Sequence, residues 1–160
     1  MLKAHFRSVG VGDNIILELP NGRVGIVDCN SRWHQCLDFL ERKINAKALE
    51  FVVATHPHAD HIDGLLSLLS HYEGRVHQFW DSGFPRREGN YLALFEYLET
   101  HPETRYLAPR SGTAFRQGDV QIQVLSPPPV LLQNTLSDLN NASLGVHRPI
   151  QSALGSRRPI

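Results

Sequence analysis

The chain has 160 residues, 41% hydrophobic and 20% charged, an ordinary balance for one soluble globular domain and far from that of a disordered or fibrous chain. Lys+Arg and Asp+Glu number 16 each, which excludes a global positive field that would draw nucleic acid or an anionic membrane to the whole surface. No apolar run approaches the roughly 20 residues that a bilayer crossing needs, so no membrane-spanning segment is expected. Met1 to Arg7 alternates in character instead of placing a basic start before an apolar core, so it is not read as a secretory signal, and a cytoplasmic location is the expectation. Cys29 and Cys36 match neither a redox pair nor a zinc knuckle, and both read as small buried residues.

Leu2 to Ser8 alternates apolar and polar, Gly10, Gly12, Asp13 and Asn14 mark a turn, and Ile15 to Leu19 resumes an extended pattern. Pro20-Asn21-Gly22-Arg23 is a strong turn tetrad, so Val24 to Val27 is expected as a third antiparallel strand. Ser31 is placed to cap a helix whose buried stripe is Cys36, Leu37, Leu40 and Ile44, ending near Asn45. Leu49 to Ala54 is a short apolar run of the kind covered on both faces of a sheet, and it points into a histidine-rich loop. A helix from Asp63 to Tyr72, a strand from Arg75 to Trp80 and a helix from Tyr91 to Glu99 follow, the last with Tyr91, Leu94, Phe95 and Leu98 inward. Thr104 to Leu107 and Val120 to Leu125 are the last clear strands; Pro127-Pro128-Pro129 reads as a loop or semi-rigid spacer. From Leu144 onward no acidic residue and no sustained period appear, and residues 144–160 are expected to form an irregular tail behind a domain of residues 1–143.

The chemistry concentrates in Thr55-His56-Pro57-His58-Ala59-Asp60-His61. His56, His58, Asp60 and His61 offer imidazole nitrogens and a carboxylate, the donor set suited to zinc and similar divalent metals. Pro57 biases His56 toward extended backbone, in which alternate side chains share a face, so His56, His58 and Asp60 are expected to converge there. His61 joins them only if the backbone turns, and Asp63-Gly64 at the start of the next helix is the expected place for that turn. A single histidine in such a loop would more often be a surface residue; three packed imidazoles without a metal would repel once protonated and gain nothing.

Thr-His-x-His-x-Asp-His before a small apolar helix resembles the signature of the metallo-β-lactamase superfamily, and Thr55 to His61 matches it at every fixed position. The flanks Val9 to Ile16, Pro20-Asn21-Gly22, Val27-Asp28-Cys29-Asn30, Trp80 to Gly83, Leu125-Ser126-Pro127 and Leu139 to Ser143 resemble the branch containing the hydrolase domain of the competence protein ComEC. The resemblance runs from about Phe6 to Ser143. It implies an α/β (α+β) fold, mainly the N-terminal half of an αββα sandwich, with a mixed sheet and helices on one face. It also implies two divalent metal ions, zinc by preference and manganese as the alternative. His56 and His58 would hold one, Asp60 and His61 the other, with Asp60 also the candidate catalytic residue and Asp28 and Thr55 supporting the ligands from behind. Asp28 reads equally well as a turn residue at a strand end, Asp13 more readily as a turn carboxylate, and Asp81 as a cleft residue or an Asp-Ser-Gly turn. His34, His71, His77 and His101 read as surface residues.

The superfamily's second half supplies a bridging aspartate and further histidines, and nothing in this sequence takes their place. Gly118-Asp119 precedes a first-half strand and is rejected as the bridging pair, and Leu144 to Pro149 breaks where an apolar strand is expected. The chain therefore reads as a truncated or frameshifted copy. The expected function is a metal-dependent hydrolase in which two metals about 3.5–4 Å apart activate a water. The expected substrate is a nucleic-acid phosphodiester or, within the same chemistry, a small ester such as a lactone, thioester or β-lactam. A catalytically impaired metal-binding remnant is the alternative, and an exposed sheet face or edge makes a homodimer or a completing partner chain the expected assembly.

Overall fold

The computed structural model describes residues 1–84, 89–132 and 143–147. Turn chemistry builds the first sheet. Strands β1 (Lys3–Phe6), β2 (Ile15–Glu18) and β3 (Val24–Val27) run antiparallel, with Ala4 opposite Leu17 and Ile16 opposite Ile26. The second turn closes at Gly22, whose φ of 80° a side-chain-free residue adopts without strain and whose N–H donates to the Leu19 carbonyl at 2.9 Å.

Strands β4 (Phe51–Ala54), β5 (Gln78–Asp81) and β6 (Arg105–Leu107) continue the same sheet in parallel, in the order β1-β2-β3-β4-β5-β6. Parallel neighbours need crossovers, and these are helical. Helix α1 (Trp33–Phe39) runs on into a wider π-type stretch, Leu40–Ile44, and stops at Asn45 in the left-handed region. Helices α2 (Ala59–Ile62) and α3 (Leu65–His71) bridge β4 to β5, and α4 (Gly89–Thr100) bridges β5 to β6. Their apolar sides, including Cys36, Leu40, Leu65, Leu68 and Leu94, pack on one sheet face against Ile16, Ile26, Val52 and Phe79. The result is the mixed sheet with helices on one face that the sequence implied.

The opposite face carries Val27, Phe51, Val53 and Trp80, covered by a second, antiparallel sheet of β7 (Ala114–Gln117), β8 (Val120–Ser126) and β9 (Gly145–His147). Val120, Ile122 and Val124 all point into that contact, following the alternation in the sequence. Phe51 stacks on Trp80 at 4.7 Å and Trp80 on Phe115 at 4.2 Å, so three rings bridge the sheets. Gly25 makes this possible: a Cβ there would lie 2.2 Å from the Phe51 ring. Toward β1 the inner faces part, leaving an apolar cleft of about 360 Å³ lined by residues such as Ala4, Phe6, Leu17, Ile122 and Val146.

The structure departs from the sequence-based expectations at four places. Ser31 does not cap α1: the N-cap is Arg32 with no side-chain cap, and Asn30 Oδ1 accepts the Arg32 N–H instead. The helix expected from Asp63 to Tyr72 forms as α3, but a separate turn, α2, precedes it inside the histidine loop and was not expected. Strand β7 was not anticipated, because Ala114-Phe115-Arg116-Gln117 lacks the β-branched alternation of β8; it is recruited by pairing across the turn at Gly118, where φ is 60°. Residues 144–147 are not irregular as expected, because Leu144 is buried between the sheets and Gly145–His147 pairs with β8. Residues 148–160 and Asn140-Asn141-Ala142 lie outside the described residues.

Candidate metal-binding site

The site forms where the parallel strands β3 and β4 end side by side, Val27 opposite Val53, so that the residues just beyond them meet. Beyond β3 stands Asp28, at φ 57°, 1% exposed, its N–H bonded to the Val53 carbonyl at 2.9 Å. Beyond β4 comes Thr55. Asp28 Oδ1 accepts the Thr55 backbone N–H at 2.8 Å, and Oδ2 accepts both the Thr55 hydroxyl at 2.6 Å and the His61 ring at Nδ1, 2.8 Å away. A buried carboxylate thus has three donors around it, which compensates its removal from water.

Counting hydrogens fixes both rings. A threonine hydroxyl has one proton, and Thr55 spends it on Asp28, so at the 3.0 Å contact between Thr55 Oγ1 and His56 Nδ1 the ring nitrogen donates. Nε2 of neutral His56 then carries the lone pair. That atom is buried and has no hydrogen-bond partner among the described residues, an arrangement that costs free energy unless something electrophilic meets it. In His61, Nδ1 is likewise committed to Asp28, leaving Nε2 to face the loop, 3.7 Å from Asp60 Oδ2. One aspartate therefore sets the tautomer of two imidazoles, directly for His61 and through Thr55 for His56.

The loop brings the rings together. The centroid of His56 lies 4.1 Å from that of His61 and 4.8 Å from that of His58. The extended stretch ends at His58, with φ −82° and ψ 143°, and Ala59 begins α2. Asp60 therefore reaches the site from a helix, and the single extended face expected for His56, His58 and Asp60 is corrected to an extended pair followed by a helical pair. Burial pushes the pKa of His56 down, helped by the neighbouring His61, whereas the Asp28 hydrogen bond pushes that of His61 up.

A second grouping overlaps the first: donor atoms of Asp13, Asp28 and His61 lie within 4.8 Å of one another. The hydrogen bonds decide between the two. An ion there would compete for His61 Nδ1 and for an Asp28 carboxylate already engaged by three donors, so the nitrogens left with free lone pairs, on the opposite edge of His61 and on buried His56, are the better ligands. Asp13 is 65% exposed at its side chain and stands 3.9 Å from His61 Nδ1.

Asp81 is fully buried and serves the Asp-Ser-Gly turn: its Oδ2 accepts Gly83 N–H at 2.6 Å and the hydroxyls of Tyr91 and Tyr106, and burial raises its pKa. The spare histidines stay peripheral, His71 bonded to Glu41, His101 stacked on Tyr97, His34 against Trp33 and His77 exposed, so three of the four have partners the sequence did not reveal. Sequence reasoning missed two supporting residues, Asn14 and Asn30. Asn14 Nδ2 donates to the Asp28 carbonyl at 2.9 Å, and Asn30 Nδ2 to the carbonyls of Val9 and Val11. Their place beside Asp13 and Asp28 was the available signal.

No family model matches the sequence, and no curated protein matches it. Solved structures do share the fold. A metallo-β-lactamase with a HARLDQ motif from Cronobacter sakazakii superposes with a TM-score of 0.55 at 14% identity, over 76% of this chain and 49% of that one. A flavo di-iron protein variant from Thermotoga maritima gives 0.57 at 14%, over 86% and 30%. The flavodiiron protein of Giardia intestinalis gives 0.54 at 15%, over 86% and 30%. The chain thus has the metallo-β-lactamase fold and spans half or less of the length of these structures.

Proposed function

We propose that Thr55 to His61 holds divalent metal and that the chain is a metal-dependent hydrolase unit, with phosphodiester hydrolysis as its reaction. The observation that carries this reading is the buried Nε2 of His56, without a hydrogen-bond partner among the described residues, whose tautomer the Asp28–Thr55 relay presets for a ligand lone pair. His56 and His58 would hold one metal, and Asp60 and His61 the other. Bound metal would supply Lewis acidity and bring the pKa of a water toward neutrality. The chain's own residues do the rest: Asp28 and Thr55 keep the rings aligned, and Asp60, at 40% side-chain exposure, is the carboxylate open to an entering substrate. Zinc suits the nitrogen-rich donor set; manganese is the alternative, and the di-iron proteins among the structural neighbours make iron the third metal to test.

Substrate class rests on the ComEC-like flanks, because the loop activates water without selecting what the water attacks. Two donors per metal fall short of the three protein ligands usual for catalytic zinc, so further ligands from a completing chain or a second copy are part of the proposal. The test is hydrolysis of bis(p-nitrophenyl) phosphate and of single-stranded DNA with added Zn²⁺ or Mn²⁺, beside a lactone and a β-lactam. Metal-dependent phosphodiester cleavage that vanishes in His58→Ala supports the proposal. Metal-replete protein inert on both phosphodiesters overturns the phosphodiesterase reading, and turnover of the lactone or β-lactam would reassign the substrate.

A further inference from the structure

We propose that Gly12 is a positioning residue, a main-chain wall that sets where Asp60 and His61 stand relative to His56 and His58; the inference rests on the metal reading of the loop. The β1–β2 turn brings Gly12, at φ 90°, so close to α2 that a Cβ there would lie 1.8 Å from the Asp60 carbonyl oxygen and 3.0 Å from the Asp60 Cβ. The obstructing atom is backbone and cannot swing aside, so a side chain at position 12 must push Asp60 and the Gly12 turn apart.

The wall is anchored to the strand end that orients the rings. Buried Asn30 donates to the carbonyls of Val9 at 3.1 Å and Val11 at 2.8 Å, and Asn14 donates to the carbonyl of Asp28. From that strand end Cys29 N–H also bonds the His61 carbonyl at 2.8 Å, while Gly64 N–H bonds the Cys29 carbonyl at 2.9 Å. Asp60 and His61 are therefore fixed by Gly12 against one residue and Cys29 against the next. The donors of the loop come from two kinds of backbone, an extended pair and a helical pair, and the spacing between them is what a metal site must hold constant.

Gly10 supplies the control. Its φ of 82° matches that of Gly12, but a Cβ there would meet only the Arg32 guanidinium, 3.6 Å away. Gly12→Ala and Gly10→Ala thus share the backbone strain, and only the first strikes Asp60. Zn²⁺ affinity by chelator competition and the visible spectrum of the Co²⁺-loaded protein are to be measured for wild type and both variants, with metal-free circular dichroism as the fold check. Gly12→Ala should lose about 10- to 100-fold in affinity and shift the Co²⁺ bands, as disturbed supports of metal ligands do, while Gly10→Ala keeps both. Should Gly12→Ala fail to fold, Asn30→Ala, which frees the wall without a clash, must weaken Zn²⁺ binding and move the same bands. Unchanged affinity and spectrum in Gly12→Ala (or, failing its fold, in Asn30→Ala), or an equal loss in Gly10→Ala, would overturn the positioning role and leave the metal site standing. Wild-type protein that takes up neither ion would overturn both.

Discussion

Asp28 and His61 meet through Oδ2 and Nδ1 at 2.8 Å, although 33 residues separate them in the chain. The contact exists because β3 and β4 are parallel neighbours, so the residue after one strand reaches the loop after the other. Asn at position 28 tolerates the same left-handed backbone but carries one acceptor oxygen where Asp has two. Asp28→Asn should weaken Zn²⁺ binding by about 10- to 100-fold with little change in fold. Competition with a chromophoric chelator measures it, and wild-type affinity in the variant would refute the tautomer-setting role.

Thr55 offers a cleaner probe of the relay. Thr55→Val keeps shape but removes the hydroxyl between Asp28 and His56, leaving buried polar atoms short of a partner at a cost of about 1–3 kcal/mol. Thr55→Ser should restore most of that stability and the metal affinity. Equal denaturation midpoints for Val and Ser variants would argue that the hydroxyl is idle.

Metal-free protein should titrate His61 and His56 in a set order. As pH falls, His61 takes its proton before His56, the first above the ordinary imidazole value of 6.5 and the second below it. The raised pKa of His61 contributes stability that is fully present below the unfolded value and is lost as pH rises through the folded one. The lowered pKa of His56 contributes stability present above the unfolded value and lost as pH falls through the folded one. The two oppose each other around neutrality, so the metal-free fold should respond to pH less than either ring alone would dictate. Imidazole resonances followed by NMR in the presence of chelator decide it; His56 titrating above His61 would contradict the assignment.

Trp80 holds the small sheet to the large one through its stack between Phe51 and Phe115. Trp80→Ala should cost about 3–5 kcal/mol, and amide exchange should rise more in β7 to β9 than in the β1–β3 meander. A uniform rise across both sheets would mean that the sheets unfold as one unit.

The elements that declare themselves locally were legible. The Asn21-Gly22 turn, the doubly buried run of β4 and the alternation of β8 each carry their cause within a few residues, and so does the donor set His56, His58, Asp60 and His61. What stayed hidden depends on distant partners. β7 is a strand because β8 is beside it, and Leu144 is ordered because its side chain fills the space between sheets and its N–H reaches the Thr55 carbonyl. The turn α2 inside the loop stayed hidden because Ala59-Asp60 carries no strong start signal. The roles of Gly12 and Asn30 were invisible for the same reason: a close main-chain approach leaves no periodicity to read.

The gap between the sheets near β1 will show in the test tube before any substrate is found. Phe6 lies 78% exposed at its edge, and the lining is almost wholly hydrocarbon and aromatic. An environment-sensitive dye such as anilinonaphthalene sulfonate should brighten on the native protein, so dye-monitored melting would start from a high baseline and hide the transition. Intrinsic tryptophan emission or circular dichroism is the sounder thermometer for this chain.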